Sequence, residues 1–234
     1  MQTPLRCVRS SAGADMKGIR EFCALILIGQ FDSPFVRRVA IAMRLYGLSF
    51  DHHPWSVFGD AEKIAQYNPL MRVPTLVMGN GEVVIESHAI LDALDHLAPA
   101  GLSMMPAGAE RREAQKVCAL ATGLSDKAVS MVYETVVHER ATSAWIERCL
   151  SQIAGCLNGL ERSRMAHPTE WWFGSAIGHA DVTTACALRF LGDAHPGLFD
   201  LSEGWPMLAA HAAKCEALEP FIEIQQPFQV TPPK

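Results

Sequence analysis

The chain has 234 residues, 49% of them hydrophobic, enough for one large domain or two small ones, each with its own core. A net charge of -5 and a pI near 6.0 offer no surplus of cations to a phosphate backbone, which argues against nucleic acid as a partner. The longest apolar run, 23–29, falls far short of the roughly 20 residues that cross a bilayer, and seven cysteines without a C-x-x-C pair suggest neither a disulfide framework nor a zinc site, so no membrane and no metal are expected and a reducing cytoplasm fits best.

Residues 1–21 lack an apolar segment of leader-peptide length and read as an extension without a role in the fold, consistent with translation starting at Met16. The run "CALILIG" from Cys23 to Gly29 is a buried strand. Ser33 and Pro34 then open a helix, serine as N-cap and proline at the first helical position, where its missing N–H costs nothing. Val36, Val39, Ala40 and Met43 recur at helical spacing and Gly47 ends the helix. A short strand at 49–53 would pair parallel to the first in a right-handed βαβ unit. A polar stretch follows, with at most a short helix over 60–66. "VPTLVM" and "EVVIE" are strands of an antiparallel hairpin turned by Gly79, Asn80 and Gly81.

Ser87 is expected to cap a second long helix with the stripe Ile90, Leu91, Leu94 and Leu97, followed by a linker over 99–106 rich in proline and glycine. Beyond residue 107 only helices are expected, over 110–140, 143–165, 181–191 and 206–219. The sequence therefore predicts an α/β domain, βαβ then ββα, at 22–98, joined through 99–106 to an all-α domain at 107–234.

Four motifs carry a family likeness in their order and spacing: "SPFVRRVAIAM" after the first strand, "NPLMRVPTLV" before the third, "ESHAILDAL" after the fourth and "GHADVTTACAL" among the helices. In this it resembles the cytosolic glutathione S-transferase superfamily, and most of all its serine-type bacterial and tau-class members. The resemblance covers the chain from about Phe22 onward. It implies a thioredoxin-like N-terminal domain, glutathione as co-substrate, an apolar electrophilic small molecule as acceptor, a detoxifying role and a homodimer.

The resemblance also assigns roles. Glutathione must react as its thiolate, and lowering a thiol from a pKa of about 8.5 by one to two units takes roughly 1.4 to 2.7 kcal/mol. A helix N-terminus supplies about 0.3 to 2 kcal/mol and a hydrogen bond to an anion about 1.5 to 3, so the two together suffice. Ser33 would be the donor to the sulfur; read from its motif alone, it is equally a helix cap. Asp32 would oppose a thiolate and is expected to point away.

Val73, kept extended by Pro74, would bind the cysteinyl backbone of glutathione as an added strand does. In the family that proline is cis; in proteins at large, trans is commoner. Arg72 matches a basic residue near the glycyl carboxylate, and is as well read as a solvated side chain. Ser87 would hold the γ-glutamyl carboxylate and Glu86 the ammonium. Asp181 would cap its helix, but where relatives carry serine or threonine three residues earlier this chain has Gly178, so half of that reciprocal cap is missing. Met131, Tyr133, Trp171 and Trp172 read as core residues rather than acceptor ligands.

A glutathione-dependent peroxidase, isomerase or lyase could use the same site, and a non-catalytic dimeric interaction protein could keep the fold. Ser33, Val73, Glu86 and Ser87 together weigh against the last, since a scaffold has no need of all four.

Overall fold

A computed structural model describes residues 25–98, 102–136 and 142–229. The extension at 1–21 and the first two residues of the expected strand, Cys23 and Ala24, lie outside the described residues.

Four strands form one sheet in the order β2-β1-β3-β4: β1 (Leu25–Ile28), β2 (Phe50–His53), β3 (Thr75–Val77) and β4 (Val83–Ile85). β2 runs parallel to β1, with Leu25 opposite Phe50, while β3 is antiparallel to both β1 and β4. Successive side chains of a strand point to opposite faces, so Leu27 and Leu76 enter the core shared with the helices while their neighbours Ile28 and Val77 meet Ile64 on the other side. Ile64 belongs to the short α2 (Ala61–Ala65), within the expected span.

The sheet's inner face is covered by α1 (Pro34–Leu45) and α3 (Ser87–Leu97). The helical half comprises α4 (Glu110–Val136), α5 (Ser143–Ala166), α6 (His179–Ala194), α7 (Leu201–Gly204), α8 (Pro206–Glu216) and α9 (Glu219–Glu223). α6 is buried almost all round, which its sequence of small and apolar residues permits. It packs against α1, α4 and α8, so one cluster joins Val39, Ala40 and Met43 of α1 to Val182, Ala185 and Cys186 of α6. Leu124, Ile153, Leu157, Trp172 and Leu208 form the core of the helical bundle itself.

Two differences from expectation are local. α7 and α9 are separate short helices that hydrophobic periodicity missed, because four or five residues cannot display a period. Ser87 does not cap α3: the N-cap is Glu86, at φ 69°, and Ser87 is the first helical residue. Its hydroxyl is engaged elsewhere.

Candidate functional site

The loop between β1 and α1 brings the first candidate into place. Gly29, at φ 129°, lies where a Cβ would come within 2.5 Å of Val36 and 2.8 Å of Val73, so only glycine lets α1 and the segment before β3 converge here. Ser33 caps α1 as expected, its Oγ accepting the Val36 N–H at 3.4 Å. That bond occupies a lone pair and leaves the hydroxyl proton free. The cap and the donor to a bound sulfur are therefore compatible roles of one group.

Opposite Ser33 stands Val73, and the Val73–Pro74 peptide is cis. Asn68, buried beneath this loop, shapes it by donating to the Arg72 carbonyl at 2.9 Å and to Thr75 Oγ1 at 3.1 Å while accepting the Leu70 N–H at 3.0 Å. Neither backbone polar group of Val73 is hydrogen-bonded among the described residues, which leaves an open edge for an extended ligand.

Ser33 and Val73 line a cavity of about 130 Å³ walled by Phe35, Trp55, Phe58, Tyr133, Phe190 and Phe228. Tyr133, expected in the core, is instead 39% exposed and faces this cavity, whereas Met131, Trp171 and Trp172 are buried. Asp32 is also among the residues that line it. Its carboxylate accepts the Gln229 N–H at 3.4 Å, and burial raises its pKa, which weakens its opposition to a neighbouring anion.

A second groove, of about 790 Å³, adjoins the first, and Phe35 and Arg72 line both. Glu86, Ser87 and Arg38 stand in it. Glu86 holds a backbone conformation that non-glycine residues rarely adopt, a cost of about 1 to 3 kcal/mol that recurs at ligand sites. Arg72 pairs with Glu86 at 3.5 Å, both side chains being well exposed. Such a pair contributes little and opens readily.

Arg38 is the residue that sequence reasoning missed. It is 3% exposed, donates to Ser87 Oγ at 2.7 Å and to Thr183 Oγ1 at 3.2 Å, and leaves its Nε without a partner. No carboxylate lies within ion-pair distance of it among the described residues. Burial accordingly lowers its pKa. Because a guanidinium only donates, the Ser87 oxygen must accept from it, and the Ser87 proton is left to point at a ligand. The only signal in the sequence was an arginine placed between Val36 and Val39, next to the helix's apolar stripe.

Asp181 does fold work. Its carboxylate accepts the Trp172 and Gly178 N–H groups, both at 2.8 Å, and Gly178 has no side chain with which to return a bond. Ser33, Arg72, Val73, Glu86 and Ser87 thus line two adjoining cavities, with Pro74 next to Val73 in the chain, while Asp181 lines neither and serves the start of α6.

The family model described as Glutathione S-transferase, N-terminal domain, matches residues 27–102, and its counterpart, Glutathione S-transferase, C-terminal domain, matches 143–214. An uncharacterized GST-like protein of Escherichia coli, YibF, is 34% identical over 46% of this chain, and the match spans 54% of that protein, about half its length. Glutathione transferase GST 23 of Zea mays is 24% identical over 70% of this chain and 71% of its own. A crystal structure of a glutathione S-transferase from Methylobacillus flagellatus with glutathione bound superposes with a TM-score of 0.78 at 25% identity, covering 86% of this chain and 98% of that one.

Proposed function

The chain belongs to the glutathione S-transferase superfamily, and from that premise we propose that it activates the thiol of glutathione for attack on an apolar electrophilic small molecule. The observation that carries this reading is the buried guanidinium of Arg38 behind Ser87, with no carboxylate at ion-pair distance among the described residues, in a groove that adjoins the Ser33 cavity. A cation withdrawn from water without an anionic partner is costly, and the γ-glutamyl carboxylate of glutathione would supply that partner.

In this reading the ligand extends past Phe35 and Arg72. Its γ-glutamyl carboxylate accepts from the Ser87 hydroxyl and backbone N–H, and Glu86 accepts from its ammonium once Arg72 swings aside. Val73 pairs with the cysteinyl backbone over Pro74. The sulfur then lies before Ser33, which donates its free proton to the thiolate while the first N–H groups of α1 add their field. Apolar walls keep water from the anion and receive the acceptor. We extend the reading to a cytoplasmic homodimer, supported by family membership and by the open groove along α3 and α4. Among the described residues no helix is long and apolar enough to cross a membrane.

The test exploits the two roles of Ser33. Ser33→Asp keeps a cap but cannot donate, so bound glutathione should titrate about one to two pKa units higher by thiolate absorbance, with melting near wild type. Ser33→Ala removes the donor without adding a carboxylate that opposes the thiolate, so it should shift the titration upward by less than the aspartate variant and also lose about 0.5 to 2 kcal/mol of stability. A wild-type titration in the aspartate variant would reduce Ser33 to a helix cap.

A further inference from the structure

The C-terminal segment beyond α9 closes one side of the Ser33 cavity, and its position is fixed by contacts with the loop that carries Ser33. The Phe31 N–H donates to Gln226 Oε1 at 3.1 Å, and the Gln229 N–H donates to Asp32. One turn earlier, the buried Arg37 of α1 holds the chain through the carbonyls of Ile224 at 2.8 Å and Phe221 at 3.0 Å. Its fork also grips both carboxylate oxygens of Glu216, at 2.6 and 2.8 Å. Between these anchors Phe228 turns inward and meets the edge of Phe190, ring centroids 5.4 Å apart. Phe228 and Gln229 thereby complete the wall opposite Trp55 and Phe58.

We infer that Phe228 narrows the acceptor space, so that single-ring or short-chain electrophiles are taken into the Ser33 cavity in preference to fused two-ring ones. The inference rests on the reading above that this cavity receives the acceptor. The space of about 130 Å³ is close to that of an apolar cavity of about 150 Å³ that holds one benzene molecule, so a single ring fills it and a second fused ring would have to project out of it, past its aromatic walls. Phe228 is half-buried against Phe190 and flanked by the hydrogen bonds of Gln226 and Gln229, so making room for an extra ring costs displacement of this segment. Truncating Phe228 removes one ring from the wall and adds about one ring to the space.

Two measurements test this. In the first, chlorodinitrobenzene and chlorodinitronaphthalene are compared as acceptors with saturating glutathione. In each, the thiolate sulfur forms the C–S bond, the C–Cl bond breaks and chloride leaves with its electron pair. Wild type should favour the single-ring compound at least tenfold in kcat/KM. Phe228→Ala should cut that preference at least fivefold through a gain on the two-ring compound, and Phe228→Trp should depress the single-ring rate while glutathione capture is unchanged. Comparable use of both compounds by wild type, or a parallel loss on both in Phe228→Ala, would overturn the inference.

The second measurement needs no transfer. Calorimetric binding of the unreactive dinitrobenzene and dinitronaphthalene, without glutathione, should show the same preference and the same reversal in Phe228→Ala. If transfer is absent but this preference stands, the reaction assigned above fails and the size selectivity survives; equal binding of the two, or no binding of dinitrobenzene, overturns the size selectivity whatever the reaction.

Discussion

Replacing Gly178 by serine should destabilise the protein, although it supplies the hydroxyl that the reciprocal cap of α6 lacks. A Cβ at this position would stand 2.9 Å from the carbonyl oxygen of Met104. That carbonyl cannot retreat freely. It accepts the His179 N–H at 3.0 Å, and the N–H of the same residue is held by the Tyr46 hydroxyl at 2.8 Å and by Asp95 at 3.3 Å. Because the obstacle is anchored backbone, overpacking belongs near the upper end of its usual range, about 3 kcal/mol, with about 1 more for the distorted His179 bond. Against this, the hydroxyl cap offers about 1 kcal/mol and the loss of glycine's freedom in the unfolded chain about 0.5. The net loss is roughly 2 to 3 kcal/mol for Gly178→Ser, and about 1 more for Gly178→Ala, which clashes without capping. Urea unfolding followed by circular dichroism would show lower midpoints at unchanged slope, alanine below serine. A serine variant as stable as wild type would refute the claim that the Met104 carbonyl decides what residue 178 can be.

Arg38→Met should weaken glutathione capture by about 10- to 150-fold, the worth of a hydrogen bond to a charged group, while leaving the melting temperature unchanged or higher because a buried cation has been removed; unchanged capture would exclude Arg38 from the site. His211 is 3% exposed among Trp171, Trp172 and Cys215, and its ring holds Nδ1 without a partner. Burial, then the charge of Arg164, lowers its pKa to about 4 against the opposing pull of the Asp181 carboxylate 3.4 Å from Nε2, so the folded state favours the neutral ring. The stability this contributes is present above the unfolded value of about 6.5 and is lost as pH falls toward 4, amounting to about 2 kcal/mol between pH 7 and pH 5. His211→Phe should remove that share of the acid sensitivity, read as the difference between urea midpoints at the two pH values; an equal fall in both proteins would rule His211 out.

The N-terminal elements were legible because punctuation marks them: Ser33-Pro34 starts α1 and the glycine-flanked Asn80 turns the hairpin. What escaped was decided by partners distant in sequence. Nothing local singles out Arg37 or Arg38, yet one finds Glu216 and two carbonyls 179 to 187 residues away and the other finds Thr183 and Ser87. Asp32 accepts a backbone N–H from Gln229, 197 residues further along the chain. Ser87 carries the composition of a cap, but the positive φ of Glu86 shifts the helix start by one residue and frees the hydroxyl for Arg38. Tyr133 follows the buried Met131 and Val132 in the chain, and its contact with Phe58, ring centroids 5.2 Å apart, together with its exposure at the cavity wall sets it apart from them.

The packing of α1 against α6 bears on modularity. The sequence reads as two regions of different secondary structure, yet the apolar residues of α1 are shared between the sheet on one side and α6 on the other. Arg37 adds a tie from α1 to α8 and to the chain around α9. A fragment ending at residue 98 would therefore expose much of the cluster that buries α1 and strand Arg37 without its acid, and the helical half alone would lose the cover over Val182, Ala185 and Cys186. The two halves are separable in the gene and inseparable in the folded state, so a partner domain from another relative could be grafted on only if it carried a compatible α6 face and a carboxylate where Glu216 now stands.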